Sequence, residues 1–427
     1  MKLYNYDSTK NWAEILKRPM MDTQRLETTV QAVLEEVKQH GDEALKAYTT
    51  RFDQVELKSL AVTFEEVATA IDKVDDDLKA AIQLAHQNIH TFHAAQQQSV
   101  EVVETMPGVR CWRKSVGIEK VGLYIPGGTA PLFSTILMLG VPAKLAGCRE
   151  IILCTPPQKD GSIHPAILYT AHLVGITQIF KVGGAQAVAG MAYGTESIPA
   201  VYKIFGPGNQ YVTAAKQLVN KSGTAIDMPA GPSEVLVCAD ESAEPAFVAA
   251  DLLSQAEHGV DSQVVLIAFS ENFVQRVQQE IDKQLQELPR KALAEKALAN
   301  SSSVIVSSRQ VALDLINIYA PEHLIVAVEE VEQFVEGIIN AGSIFMGNFT
   351  PESVGDYASG TNHTLPTNGF ATAYSGVSLD SFVKKITFQQ LSQAGLRNVG
   401  PAVEKMARAE ELEAHRNAVS IRLISEK

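Results

Sequence analysis

The chain has 427 residues, enough for two or three domains, because a single hydrophobic core stops growing near roughly 250–300 residues. Its 46% hydrophobic and 20% charged residues are the proportions of a globular protein. The formal net charge of −13 argues against nucleic acid as a main partner, since phosphate binding needs clustered Lys and Arg.

At the N-terminus, Met1-Lys2-Leu3-Tyr4-Asn5-Tyr6-Asp7 lacks the apolar core of a signal peptide. Val30, Val33, Leu34 and Val37 recur at helical spacing, and Gly41 is expected to stop that helix. Thr63-Phe64-Glu65-Glu66 has the form of a capping box and opens a second helical stretch toward Gln96. A β section follows around Met106-Pro107-Gly108 and then from Val116 to Ile125. The longest apolar run, Ala130 to Val141, is followed by Lys144 and falls short of a membrane span. A cytoplasmic location is the expectation.

From about Glu150 short β-rich runs alternate with helical ones: Ile151–Cys154, Gln178–Val182, Val201–Phe205, Glu234–Cys238, Gln263–Ala268, Ser303–Val306, Leu324–Val328 and Ser343–Met346. Such alternation predicts parallel βαβ units in a doubly wound α/β fold. The pattern occurs on both sides of Ala230-Gly231-Pro232, which leaves two similar halves open. The loops Tyr124-Ile125-Pro126-Gly127-Gly128 and Ala230-Gly231-Pro232-Ser233 read as two crossings between domains, with an inserted domain between them. Near the C-terminus Val403, Met406 and Ala407 make a helical face, and Ala418 to Ile424 reads as a strand. So short a tail buries little by itself.

Glycine turns at Gly127-Gly128, Gly183-Gly184 and Gly206-Pro207-Gly208 each come near a strand end before a helix, where backbone amides can approach a pyrophosphate. None fits GxGxxG, so ordinary tight turns are the competing reading. Cys111, Cys148, Cys154 and Cys238 show no CxxC or disulfide spacing. Neither Cys148 nor Cys154 lies beside a His or a glycine-rich turn that would make a thiolate, so both are expected to be buried apolar groups.

Gln255 and His258 are three apart in a helical pattern, which puts both on one face within reach of a common ion. A Gln carbonyl is a weak ligand, so a solvated Gln and a helix-end His before Gly259 is the bland alternative. The charge balance of such a site needs a carboxylate. Asp356, in Gly355-Asp356-Tyr357-Ala358-Ser359-Gly360, is the candidate, with His363 or His415 as a fourth ligand. Glu322 and His323 follow Pro321 at the start of a βα unit, where a His with a neighbouring Glu supplies a base and a second proton carrier. His86, His90 and His93 have helical spacing but no carboxylate cluster follows, so a solvated helix face is expected there.

Taken together, Gly122-Leu123-Tyr124-Ile125-Pro126-Gly127-Gly128, Lys181-Val182-Gly183-Gly184-Ala185-Gln186-Ala187, Phe205-Gly206-Pro207-Gly208-Asn209, Leu253-Ser254-Gln255-Ala256-Glu257-His258-Gly259, Ala320-Pro321-Glu322-His323 and Gly355-Asp356-Tyr357-Ala358-Ser359-Gly360-Thr361-Asn362-His363 resemble histidinol dehydrogenase. The segment Asp227-Met228-Pro229-Ala230-Gly231-Pro232-Ser233-Glu234 adds to the match, which runs from about Thr23 to the C-terminus. This resemblance implies a zinc- and NAD-dependent, four-electron oxidation of L-histidinol to L-histidine through bound histidinaldehyde, the last two steps of histidine biosynthesis. It implies Glu322 and His323 as the acid/base pair, one zinc per subunit on Gln255, His258, Asp356 and His415, and NAD contacts from Tyr124, Gln186 and Asn209. Substrate contacts are implied for Ser233, His363 and Glu410, together with the zinc ligands and His323.

The implied fold is α/β, with two incomplete Rossmann-like domains with parallel sheets and small N- and C-terminal arms exchanged in a homodimer that shares its active sites. The expected division is 21–123 with 234–377 as the main domain, bearing the metal and acid/base residues, and 124–233 as the NAD-contacting domain. Residues 1–20 with 378–400 form a small extension, and 401–427 an arm on the partner. A zinc-dependent dehydrogenase of another small alcohol and a zinc hydrolase using Glu322 are the competing functions. The Phe205–Asn209 loop has no use in the hydrolase.

Overall fold

The computed structural model describes residues 1–6, 12–19, 23–127 and 130–424, so Gly128 of the first glycine turn lies outside the described residues. Capping chemistry sets the early helices. The Thr63 side chain accepts from the Glu66 N–H and the Glu66 carboxylate accepts from the Thr63 N–H, starting helix Phe64–Lys73. Val74 and Asp75 then turn extended, and the Asp75 carboxylate caps a separate helix, Asp76–Ala94. The expected single stretch is therefore two helices. Gly41, with φ of 51°, is non-helical and divides the run Thr23–Asp53 into two helices that meet at a kink, so the first helix stops there as expected; glycine adopts that conformation without a Cβ penalty.

In chain order the strands are β1 (Lys2–Asn5), β2 (Val102–Met106), β3 (Val109–Gly117), β4 (Lys120–Tyr124), β5 (Glu150–Thr155), β6 (Gln178–Lys181) and β7 (Lys203–Phe205). They continue with β8 (Ala225–Ile226), β9 (Glu234–Ala239), β10 (Gln263–Ala268), β11 (Ser302–Ile305), β12 (His323–Ala327), β13 (Ser343–Met346) and β14 (Val383–Leu391).

Residues 1–95 and 118–382 make one compact unit, and 96–117 with 383–427 a second. The larger unit contains two sheets, ordered β6-β5-β4-β7-β8 and β1-β11-β10-β9-β12-β13, whose strand pairs are all parallel. Apart from β1 the two orders are the same: a central first strand, the next two on one side, the last two on the other. The α/β expectation and the repeated halves are both present. Every residue of β9 and β10 is buried, as strands covered on both faces require, and this is why they read as continuous apolar runs. The apolar stretch after Ala130 is a helix, Phe133–Leu145, buried from Ser134 through Ala143. No helix among the described residues is long and apolar enough to cross a membrane.

Two expectations about the ends need correction. Residues 1–20 were grouped with 378–400, but Lys2–Asn5 pairs with Ser302–Ile305 as the edge of the six-stranded sheet. The 383–391 strand lies instead against 109–117 in an antiparallel sheet, β14-β3-β2, within the smaller unit. The segment from Ala418 to Ile424 is helical, part of Glu413–Ile424. Its β-branched Val419 and Ile421 favour a strand by propensity, but tertiary packing overrides propensity. Val419 and Leu423, four apart, stand over Gly400 of the preceding helix, Gln393–Ala409, a contact that only helical spacing provides.

Candidate active site

In the five-stranded sheet the strand order reverses between β4 and β7, and ligands of open α/β sheets bind beyond the carboxyl ends of the strands at such a point. Tyr124 ends β4 and Phe205 ends β7. The loop after Phe205 is fixed by sterics and charge. Gly206 has φ of 132°, and a Cβ there would lie 2.1 Å from the Tyr124 carbonyl oxygen. Its N–H donates to Asp227 Oδ2 at 2.8 Å and its carbonyl accepts from Lys216 Nζ at 2.8 Å. Lys216 and Asp227 are themselves a buried ion pair. Asn209 caps helix Gln210–Lys221, accepting from the N–H groups of Tyr211 and Val212.

Beside β4, the Gly184 N–H donates to the Tyr124 hydroxyl at 3.1 Å. Burial pushes that hydroxyl up to about 12, so it stays a phenol. Tyr124, Gly127, Pro156, Gly184, Gln186 and Asn209 line a cavity of about 1200 Å³, large even for a drug-sized ligand and sufficient for a dinucleotide. The Gly127 Cβ position would meet the Pro156 ring at 2.2 Å, so the absence of a side chain keeps this wall thin.

The second cluster lies at the opposite kind of edge, the amino ends of β9 and β12 in the six-stranded sheet. Ser233 precedes β9, Glu322 immediately precedes β12, and His323 opens it. Glu322 is buried and its Oε2 accepts from the Glu234 N–H at 2.9 Å. Arg18 grips the Glu234 carboxylate in turn and donates to the Tyr319 carbonyl at 2.6 Å. His323 is buried; its Nδ1 lies 2.9 Å from Gln255 Nε2 and 3.3 Å from the Glu234 carbonyl oxygen, and its Nε2 lies 3.2 Å from Asp356 Oδ1. Burial opposes charging of His323, but Glu322, Asp356 and Glu352 outweigh it and hold its pKa well above the ordinary imidazole value. The ring is a strong proton acceptor.

Three groups suited to a cation converge around it. Gln255 is fully buried; its amide nitrogen is used by the Glu234 carbonyl and His323, while its Oε1 has no hydrogen-bond partner. Such an orphaned acceptor normally has a partner in the working protein. Asp356, despite burial, is held below the usual carboxylate range by His323, His363 and His258. His258 keeps one side open to solvent while the protein mass beneath it lowers its pKa against the pull of Glu322 and Asp356, which favours the neutral, ligating imidazole. Among the described residues no three His, Cys, Asp or Glu side chains gather as a metal site. The larger unit contributes two groups of those types to the expected set, His258 and Asp356, with a Gln amide completing what lies there.

His363 is not free to ligate: Nδ1 donates to the Asp356 carbonyl at 2.8 Å and Nε2 accepts from Thr135 Oγ1 at 3.1 Å. Thr135 lies in the first turn of helix Phe133–Leu145, which follows the first glycine turn, so His363 joins the two clusters, and Gln210 Nε2 donates to Asp261 Oδ2 at 3.2 Å in a second link. The carboxyl edge of one sheet thus meets the amino edge of the other. Glu410 and His415 are exposed on the smaller unit. His93, expected on a solvated face, is instead buried, with Nδ1 on the Ile89 carbonyl at 2.8 Å.

Thr135, Glu352 and the Arg18–Glu234 pair carried no signal in the sequence; Glu352, one turn before Asp356, was the nearest to legible. Burial pushes the Cys148 thiol up to about 11 and raises Cys154 as well, which leaves neither a thiolate.

A sequence profile described as histidinol dehydrogenase matches residues 16–423. The chain is 62% identical over 423 residues to a histidinol dehydrogenase of Bacteroides thetaiotaomicron, covering 99% of each. It is 52% identical to the chloroplastic histidinol dehydrogenase of Arabidopsis thaliana, covering 99% of this chain and 91% of that one. The crystal structure of histidinol dehydrogenase from Elizabethkingia anophelis superposes with a TM-score of 0.97 at 55% identity, covering 100% of this chain and 98% of the other.

Proposed function

The chain belongs to the histidinol dehydrogenase family, an oxidoreductase acting on histidinol in histidine biosynthesis, and we propose that it works with NAD and zinc through the two clusters described above. The observation that carries this reading is the junction of a dinucleotide-sized cavity with a buried His–carboxylate cluster holding an orphaned Gln255 oxygen.

NAD is assigned to the cavity at Tyr124, Gln186 and Asn209, and zinc to Gln255, His258 and Asp356. When bound, these groups supply the hydride acceptor and a positive charge that orients the substrate and offsets the Asp356 carboxylate. With that charge offset, His323 loses part of the field that favours its imidazolium and serves as a base at Nε2. His323 takes the alcohol proton of L-histidinol as hydride leaves the carbinol carbon, giving the aldehyde. Glu322, fixed by the Glu234 N–H, then takes a proton from the water that adds to the aldehyde. As the water adds, protonated His323 returns its proton to the carbonyl oxygen; the hydrate then loses a hydroxyl proton to the freed His323 and a second hydride, so four electrons leave as two hydrides. Ser233 and His363 are assigned to the substrate.

Glu410 and His415 are assigned to the site of a second copy in a homodimer, His415 as the fourth zinc ligand, and the enzyme is assigned to the cytoplasm. The domain division keeps 124–233 as the NAD-contacting part and 234–377 as the part with the metal and acid/base residues.

The test is reduced-nicotinamide absorbance with L-histidinol and NAD, before and after prolonged chelation. Activity should be abolished and then restored by zinc; full turnover in verified metal-free protein would refute the metal assignment. Mixing inactive His323→Asn with inactive His415→Asn and letting subunits exchange should restore roughly a quarter of wild-type activity if the site is shared. No recovery after demonstrated exchange would refute sharing.

A further inference from the structure

Gln255 and His258 lie at and just beyond the end of helix Pro245–Ala256, and Asp356 lies on the short helix Glu352–Tyr357. Nothing in the reaction above uses Glu352, yet it is 1% exposed. A carboxyl group that deep is costly unless it is hydrogen-bonded, and an apolar residue would be cheaper in the same place. One partner is present: Ser254 Oγ donates to Glu352 Oε1 at 2.7 Å. Oε2 has none.

The location of that bond is informative. Ser254 immediately precedes Gln255. Glu352 precedes Asp356 by four residues, so the two carboxyls share a face one turn apart. The bond therefore joins the two helices that carry the assigned ligands, and it does so beside them. The Asp251 carbonyl of its own helix lies 2.8 Å from the Ser254 hydroxyl as a second acceptor for the same proton.

We propose that the Ser254–Glu352 hydrogen bond is a strut that sets the separation of Asp356 from Gln255 and His258, making Glu352 and Ser254 positioning residues for the zinc ion. This rests on the metal reading given above. Groups that hold metal ligands in place typically contribute ten- to hundredfold in affinity, because a ligand displaced by a few tenths of an ångström loses its bond while the fold survives.

The experiment uses the full-length zinc-loaded protein and three variants, Ser254→Ala, Glu352→Ala and Glu352→Gln. Zinc transfer to a chromogenic chelator is followed in time, and Tm is measured with and without zinc. Ser254→Ala and Glu352→Ala should release zinc about 10–100-fold faster, and the rise in Tm caused by zinc should shrink. Glu352→Gln keeps the size and the carbonyl acceptor for Ser254 and should behave as wild type. A purely structural role would lower Tm equally with and without zinc and leave the zinc-induced rise unchanged. Should Glu352→Ala not fold, Ser254→Ala and Glu352→Gln still decide the matter. Wild-type release rates in Ser254→Ala, or equally fast loss from Glu352→Gln, would overturn the strut while leaving the metal assignment standing. A wild-type protein that holds no zinc would overturn both.

Discussion

Replacing Lys216 by Met tests how the cofactor loop is held. Lys216 and Asp227 side chains are 5% and 2% exposed, so neither charge has much water to fall back on. Removing one partner of such a pair costs about 3–5 kcal/mol, because the other charge stays buried without compensation. Asp227 retains two backbone donors, the N–H groups of Gly206 and Met228, at 2.8 Å each, which points to the lower end, about 3 kcal/mol or roughly a hundredfold in the folding constant. The Gly206 carbonyl also loses its donor, so the loop loosens and NAD binding should weaken. Urea melts followed by intrinsic fluorescence, and NAD titration of each protein, measure both effects. The double variant Lys216→Met, Asp227→Asn removes the stranded charge, keeps an acceptor for one of the two N–H groups, and should recover half or more of the lost stability. A single variant within about 1 kcal/mol of wild type, or a double variant no better than the single, would refute this account of the loop.

Glu322→Gln should slow oxidation of supplied histidinaldehyde more than that of histidinol, whereas His323→Asn should depress both; selective loss of the alcohol step in Glu322→Gln would reverse the assigned roles. Cys148→Ala and Cys154→Ala should keep substantial turnover, since burial holds both as thiols; loss of the aldehyde step with folding and metal content intact would instead make one of them the nucleophile that adds to the aldehyde as a thiohemiacetal. Burial pushes the Asp251 carboxyl up from 3.8 to about 7, so the folded protein binds that proton more tightly than the unfolded chain. Its contribution to stability is then lost as pH rises from about 4 through about 7. Asp251→Asn should gain stability over wild type at pH 8 relative to pH 4, measured by denaturant midpoint, and an equal difference at both pH values would contradict the burial argument.

Local physics reached a long way along this chain. The capping box at Thr63 and Glu66, the buried runs of β9 and β10, and the glycine at position 206 are each dictated by nearby atoms: reciprocal hydrogen bonds, coverage on both sheet faces, a φ that no Cβ tolerates beside Tyr124. Residue chemistry singled out Gln255, His258, Glu322, His323 and Asp356 as candidates, and the family resemblance gave them their expected roles. Tertiary structure decided what distance along the chain hides. The Ala418–Ile424 segment is a helix because Val419 and Leu423 pack on Gly400, a contact absent from its own propensities. His363 reaches from Asp356 to Thr135, 228 residues away, and Arg18 fixes Glu234 across 216. The partnerless oxygen of Gln255 and the buried carboxyl of Glu352 exist only once two helices meet. Hydrogen-bonding deficits are properties of packed neighbours, so a sequence can name the groups but only the fold determines which are left without a partner.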